Sequence, residues 1–389
     1  MSLNKSLDAV LEAAVLAGDV PGVVAGLTTA DATVYEGGFG ERAIGGGVAM
    51  TSDTVGWIAS MTKAITAAAA MQLVEEGRLD LDGPASAVVP YLSTVTVLEG
   101  FDGAGQPLTR PPKRPVTLRH LLTHTAGFGY DVWNPDIERY MKAMGLPRNT
   151  TGKDASLTTP LTFDPGDRWQ YGISIDWAGK MVEAVSGQKL GQYLKENIFD
   201  PLGMDSTGFK ITPAMADRRA SVHRRDADGR FEALDMIVEQ NPEFEAGGGG
   251  LYSTVGDYLK FIRMVLGQGT GNGIRVLRSE TVAMMSVNQM GDCRVSKLET
   301  AKAELSNDVE FFPGLEKTWG LSFLINERQA STGRSAGSLA WGGLANSYFW
   351  IDPAKGIGGA YLTQILPFGD ETSLPLFEAF EKTTYQGIR

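Results

Sequence analysis

Cysteine is almost missing from this chain. Cys293 is the only one in 389 residues, so no disulfide can form within it, and its Gly-Asp-Cys-Arg setting reads as loop with nothing nearby to activate a thiol. Positive charge is also scarce: 35 Lys and Arg against 46 Asp and Glu give a net charge of -11. That excess argues against a nucleic-acid partner, which draws on concentrated Lys and Arg. Long apolar runs are missing too. The longest, Ala64 to Ala70, is closed by Gln72, Glu75 and Glu76, short of the ~20 residues a membrane span needs. Glu12 breaks Val10 to Ala17, the one stretch that could serve a secretory signal, so the sequence predicts a cytoplasmic protein with no membrane partner.

What is present has the make-up of a globular protein too long for one small core, with 43% hydrophobic and 21% charged residues. Leu7, Val10, Leu11, Ala14 and Val15 recur at helical spacing until Pro21-Gly22 stops them. Val23 to Thr29, Ala32 to Phe39 and Thr54 to Ile58 read as strands. Strand character returns late, at Leu321 to Asn326, Ser347 to Asp352 and Ile357 to Thr363, before a closing helix over Leu374 to Lys382. Between these ends Met61 to Glu76, Leu118 to Thr123, Pro135 to Met144, Ile175 to Val185 and Leu190 to Asn197 carry helical spacing. Phe101 to Pro115 reads as irregular surface, Ser221 to Leu234 as a hairpin around Ala227-Asp228-Gly229, and Thr254 opens a helix that stops at Gly267.

The expected fold class is therefore α/β: an antiparallel sheet flanked by helices, built from both chain ends, with a mostly helical insertion. Residues 1–75 and 225–389 form the sheet domain in this reading and 76–224 the helical one, with the active site in the cleft between them.

The sharpest chemical feature is Ser60-Met61-Thr62-Lys63, where a predicted strand gives way to a predicted helix. Three residues apart on a helix means one face, so the Lys63 amine can reach the Ser60 hydroxyl. Serine needs a base to become a nucleophile at neutral pH, and lysine serves only when neutral. The apolar residues after Lys63 make burial, and with it a lowered lysine pKa, plausible. A helix N-terminus also presents backbone N–H groups to a developing oxyanion. The competing reading is an N-cap serine with an exposed lysine one turn on.

With these residues the chain resembles the class C β-lactamase-like serine hydrolases of penicillin-binding-protein type, and within them the family VIII carboxylesterases. The resemblance is carried by Ser60-Met61-Thr62-Lys63, by Tyr171 in Pro165-Gly166-Asp167-Arg168-Trp169-Gln170-Tyr171-Gly172, and by Trp341-Gly342-Gly343. Thr117 to Gly127 and Gly247 to Thr254 add to it, so it spans nearly the whole chain in order. It implies a nucleophile at Ser60, a general base at Lys63, and a tyrosine, Tyr171, that shares the proton and passes it to the leaving group. The oxyanion hole it implies is the backbone N–H of Ser60 and of Leu344.

Two positions depart from the lactamase pattern. Its second motif ends in asparagine and its third usually begins with lysine, but here those positions look like Ile173 and Trp341. Neither side chain can replace the lost polar contacts, so the site favours an uncharged ester with a hydrophobic part. Trp341, Gly342, Gly343, Tyr130, Trp133 and Ile173 are the expected substrate-binding residues. A serine carboxylesterase for small hydrophobic esters follows, working through an acyl-Ser60 intermediate without metal or cofactor, with weak β-lactam hydrolysis as a side activity. The alternatives are acyl transfer to an alcohol, a β-lactamase or D-amino-peptide hydrolase, and a sensor acylated once.

Other motifs compete for the chemistry. Gly333-Arg334-Ser335-Ala336-Gly337 matches a nucleophile elbow, but all three histidines, His120, His124 and His223, precede Ser335, against the order that fold requires. His120 and His124 sit four apart, yet Leu121 stands where a zinc hydrolase has its glutamate, so a satisfied structural pair is expected. Gly247 to Gly250 lacks the Lys and Ser/Thr of a phosphate loop and reads as close backbone packing. The oligomeric state is not legible in the sequence.

Overall fold

The structure, a computed structural model, describes residues 2–388. Helix α1 (Leu3–Ala17) leads into strands β1 (Gly22–Thr28) and β2 (Thr33–Gly40). Near the other end run β3 (Lys317–Trp319), β4 (Leu324–Asn326), β5 (Leu339–Gly343), β6 (Ser347–Asp352) and β7 (Ile357–Leu362). These seven form one antiparallel sheet in the order β3-β4-β5-β6-β7-β1-β2. The pairing of β1 with β7, Gly26 opposite Ala360, joins the chain ends.

Every residue of β1, β6 and β7 is buried, because helices cover both faces of the sheet. On one face Phe377 of the closing helix (Ser373–Gly387) touches Tyr348, Trp350 and Tyr361. On the other lies the helix Val255–Leu266. Gly26 and Gly358 make its close approach possible: a Cβ at Gly26 would stand 2.7 Å from Leu259 Cδ1, and one at Gly358 2.6 Å from Ile262 Cγ2. The fold is thus the expected mixed α/β architecture.

The middle of the chain supplies α2 (Thr62–Glu75), α3 (Leu118–Leu122), α4 (Pro135–Met144) and α5 (Ser174–Ser186). Residues Met61 to Met71 are all buried, so α2 is a core helix with no solvent stripe over its first turns. Ala67 to Ala70 keep its girth small enough for neighbours on every side, α5 among them. No helix among the described residues is long and apolar enough to cross a membrane.

Several elements differ from the sequence reading. Thr54 to Ile58 contributes only the two-residue strand Gly56–Trp57, paired with Tyr252–Ser253. Within Phe101 to Pro115, expected to be irregular, Pro107–Arg110 is a strand that pairs back onto Val97–Phe101. Strands β3 and β5 escaped notice: β3 is three residues long, and β5 ends in Gly342-Gly343 and is buried throughout, so neither propensity nor alternation marks them.

The Gly333–Gly337 segment is a turn whose arginine points inward. Arg334 is buried against Glu381 of the closing helix, with Arg334 Nε 2.9 Å from Glu381 Oε1, and Thr332 donates to the same oxygen. Removing one member of a buried pair leaves the other charge uncompensated, at a cost of about 3–5 kcal/mol. Glu381→Ala should lower stability on that scale in urea unfolding, and a loss under about 1 kcal/mol would mean the pair contributes no more than a surface one.

Candidate active site

Ser60 sits in a short 3-10 turn, Ala59–Met61, directly before α2. Ala59 is held at φ 42°, the left-handed region a non-glycine residue occupies at a cost of about 1–3 kcal/mol. The bend turns the chain from Gly56–Trp57 into α2 and leaves Ser60 on the wall of a cavity. Lys63, one turn on, is 1% exposed.

Three oxygens surround the Lys63 amine. Its Nζ lies 3.0 Å from Ser60 Oγ, 3.1 Å from the Tyr130 hydroxyl and 2.5 Å from the Gly248 carbonyl. A neutral amine has two N–H donors and one lone pair, so it satisfies all three when the lone pair faces Ser60 and the donors face Gly248 and Tyr130. Burial lowers the Lys63 pKa from 10.5 to about 7, and the charge of Asp176 opposes that drop. A substantial share of the amine is therefore unprotonated at neutral pH.

Tyr171 lies against Lys63, its ring centroid 4.7 Å from Nζ. Its hydroxyl accepts a 2.9 Å hydrogen bond from the Trp341 indole. Burial pushes the Tyr171 phenol up, outweighing hydrogen bonds to Ser60 and Trp341 that pull it down. Tyr130 is pushed up as well, by burial first and then by the charge of Asp176. Both rings thus remain phenols near neutral pH, because desolvation is the largest influence on each. The amine is the group able to take a proton; the phenols can carry one.

The other expected residues separate into two sets. Tyr130, Trp133 and Leu344 line the cavity together with Ser60. Trp341, Gly342, Gly343 and Ile173 do not. Trp341 is turned away into an aromatic cluster with Trp319 and Phe311 and supports Tyr171. Gly342 packs on the Tyr348 ring, and Ile173 is buried at the start of α5. Gly343 lets β5 press onto the turn that carries Ser60: a Cβ there would stand 2.3 Å from the Ile58 carbonyl oxygen. This contact brings Leu344 beside Ser60.

The cavity holds about 360 Å3 and is lined mainly by apolar side chains, among them Trp57, Val132, Phe209 and Phe244. One wall is an extended segment after Leu234. Leu234, Met236 and Val238 face inward in alternation, and Tyr252 Oη accepts from the Val238 N–H at 3.0 Å. Tyr130 and Trp133 are fixed from outside: Lys302 Nζ lies 2.5 Å from Asp131, and the Trp133 indole donates to Ser306 at 3.0 Å.

Three features went unread in the sequence. Asp176, 1% exposed, accepts from the Gly248 N–H and stands close enough to influence Lys63; only the fold reveals a buried carboxylate in so ordinary a helix. Tyr130 touches the amine, where a wall residue was expected. His120 and His124 do not form a satisfied pair. His120 accepts from the Thr117 N–H at 3.3 Å, whereas His124 lies beyond the end of α3, buried against Tyr171, with no partner for either ring nitrogen among the described residues. Burial and Lys63 hold His124 neutral. No cluster of three metal-binding side chains occurs among the described residues.

A family model described as Beta-lactamase matches residues 7–380. Over 345 residues the chain is 36% identical to monacolin J acid methylbutanoyltransferase of Aspergillus terreus, covering 86% of this chain and 82% of that one. It is 31% identical over 398 residues to lovastatin esterase of Penicillium rubens, with 98% of each chain covered. The unliganded simvastatin synthase of Aspergillus terreus superposes with a TM-score of 0.83 at 31% identity, covering 99% of this chain and 98% of that one.

The buried amine has a consequence for stability that can be measured. Its pKa is about 7 in the folded chain against 10.5 ordinarily, so the folded state binds fewer protons than the unfolded one between those values. Its burial therefore costs stability in full below about pH 7, and the cost fades as pH rises to 10.5. At roughly 1.4 kcal/mol per pH unit the penalty is a few kcal/mol, part of which the lost hydrogen bond to Gly248 offsets on removal. Lys63→Met should raise the midpoint of urea unfolding at pH 7, with the gain shrinking by pH 10; a gain that is absent or independent of pH would show the amine is charged in place.

Proposed function

We propose, given that this chain belongs to the Beta-lactamase family, that it is a serine acyltransferase moving a carboxylic acyl group through acyl-Ser60 to a bulky apolar alcohol, with water as the competing acceptor. The reading is supported by its relatives, whose names include both methylbutanoyltransferase and esterase. The observation that carries the reading is the placement of Ser60 and Tyr130, next to the buried Lys63 amine, on the wall of a mainly apolar cavity.

The steps follow from that placement. Ser60 Oγ attacks the acyl carbonyl and its proton moves to Lys63 Nζ. The oxyanion is held by the backbone N–H groups of Ser60 and Leu344. Collapse breaks the bond to the leaving alcohol, which takes a proton from the amine by way of a phenol, and Tyr171 is the phenol assigned that transfer. The second half reverses the first: a new alcohol gives its proton to the amine as it attacks, and Ser60 leaves with a proton restored. By microscopic reversibility, space that releases an alcohol also admits one. Apolar walls favour a bulky alcohol over water through the surface it buries.

Turnover of a p-nitrophenyl ester with and without an added hydrophobic alcohol tests this. The expected outcome is sustained p-nitrophenol release, a new ester formed in proportion to the alcohol, and loss of both in Ser60→Ala. Lys63→Ala and Tyr171→Phe should each lose at least about a hundredfold. Carboxylic acid as sole product at every alcohol concentration would make the chain an esterase, and a single stoichiometric burst a sensor. A serine-directed phosphonate that labelled Ser335 instead of Ser60 would remove the assignment altogether.

A further inference from the structure

Behind the amine lies a buried carboxylate that the mechanism above does not use. Asp176, in the first turn of α5, spends one oxygen on the Gly248 N–H at 2.8 Å and the other on the Asn149 side chain, whose Nδ2 donates at 3.0 Å. On the far side of the same Cα, the Gly248 carbonyl receives the Lys63 amine at 2.5 Å. The fit depends on glycine: a Cβ at position 248 would stand 2.8 Å from Asp176 Oδ2. Asn149 itself lines the substrate cavity. A continuous chain of contacts thus runs from the cavity wall through Asn149, Asp176 and Gly248 to the amine.

We infer that Asp176 is a positioning residue for acyl transfer: by fixing Gly248 it aims that carbonyl at Lys63 Nζ, and its charge sets how readily the amine takes the Ser60 proton. The inference rests on the reading of Lys63 as the base. Geometry gives the first part. With one N–H held by the Gly248 carbonyl and another by Tyr130, the lone pair of a neutral amine has Ser60 left to face.

The second part follows from what surrounds the amine. Tyr130 and Tyr171 stay neutral phenols, and His124, beside Tyr171, is held neutral. Asp131, next to Tyr130, is matched by Lys302. Asp176 is thus the negative charge felt at Nζ, and it opposes the burial that lowers the amine. Burial raises Asp176 in its turn, while Lys63, Gly248 and Asn149 pull it down. Without that charge a drier amine would be too weak a base to draw the proton from serine; without the hydrogen bond to Gly248 the amine would lose its aim.

The test is the pH–rate profile for p-nitrophenyl ester turnover, with rates normalised by phosphonate titration so that only folded, competent sites are counted. In the intact protein the rate should fall as pH drops through about 7, where the amine gains its proton. Asp176→Asn keeps an oxygen for the Gly248 N–H but no charge, and should move that acidic limb down by at least half a pH unit with a loss of about tenfold on the plateau. Asn149→Ala leaves the carboxylate charged but strips a donor from it, and should move the limb up; this variant alters only the partly exposed loop, and so stands if Asp176→Asn does not fold. A limb that stays in place in Asn149→Ala, or in a folded Asp176→Asn, overturns the role of Asp176 while leaving Lys63 as base. The absence of an acidic limb near pH 7 in the intact protein overturns both.

Discussion

Removal of the Lys63 amine from water is the constraint on which the rest of this structure depends. Solvation of an ammonium is lost when α2 is enclosed on all sides, and that loss brings the neutral form within reach at neutral pH. Everything around it serves that condition. The alanines of α2 admit close neighbours, Gly248 brings a carbonyl in, and Tyr130 brings a hydroxyl. The result is an amine partly unprotonated at neutral pH, in a chain where the buried imidazole of His124 is itself held neutral.

The same enclosure holds the two tyrosines in different ways. Tyr171 is fixed by Trp341 and lies with its ring against the amine, while Tyr130 presents its hydroxyl to it. Trp341 stands where the lactamase pattern usually has lysine. In that place it leaves no cation to meet a carboxylate and instead extends the aromatic packing behind the reacting groups. The cavity beyond Ser60 is correspondingly apolar.

Much of this was legible from the residues. The spacing of Ser60 and Lys63, the apolar run after them and the strand patterns at both ends led to the sheet, the buried helix and the amine beside the hydroxyl. What escaped reading depends on contacts distant in sequence. Asp176 looks like an ordinary acidic residue in the first turn of a helix, and its place beside Gly248, 72 residues later, follows only from the packing of α5 on α2. Trp341 looks like a substrate wall because aromatics line pockets, yet β5 turns it inward. His124 looks like one of a helical pair, but α3 ends at Leu122 and the chain reverses at His124.

The segment from Leu234 to Val238 is tied at Val238 to a tyrosine hydroxyl and at Leu234 to Val222, and it offers alternate side chains to the cavity. The Lys63 amine, by contrast, sits on a helix gripped on every side. The two can therefore change separately: exchanges at Leu234, Met236 or Val238 alter the shape of the cavity wall while the packing that keeps the amine dry stays as it is.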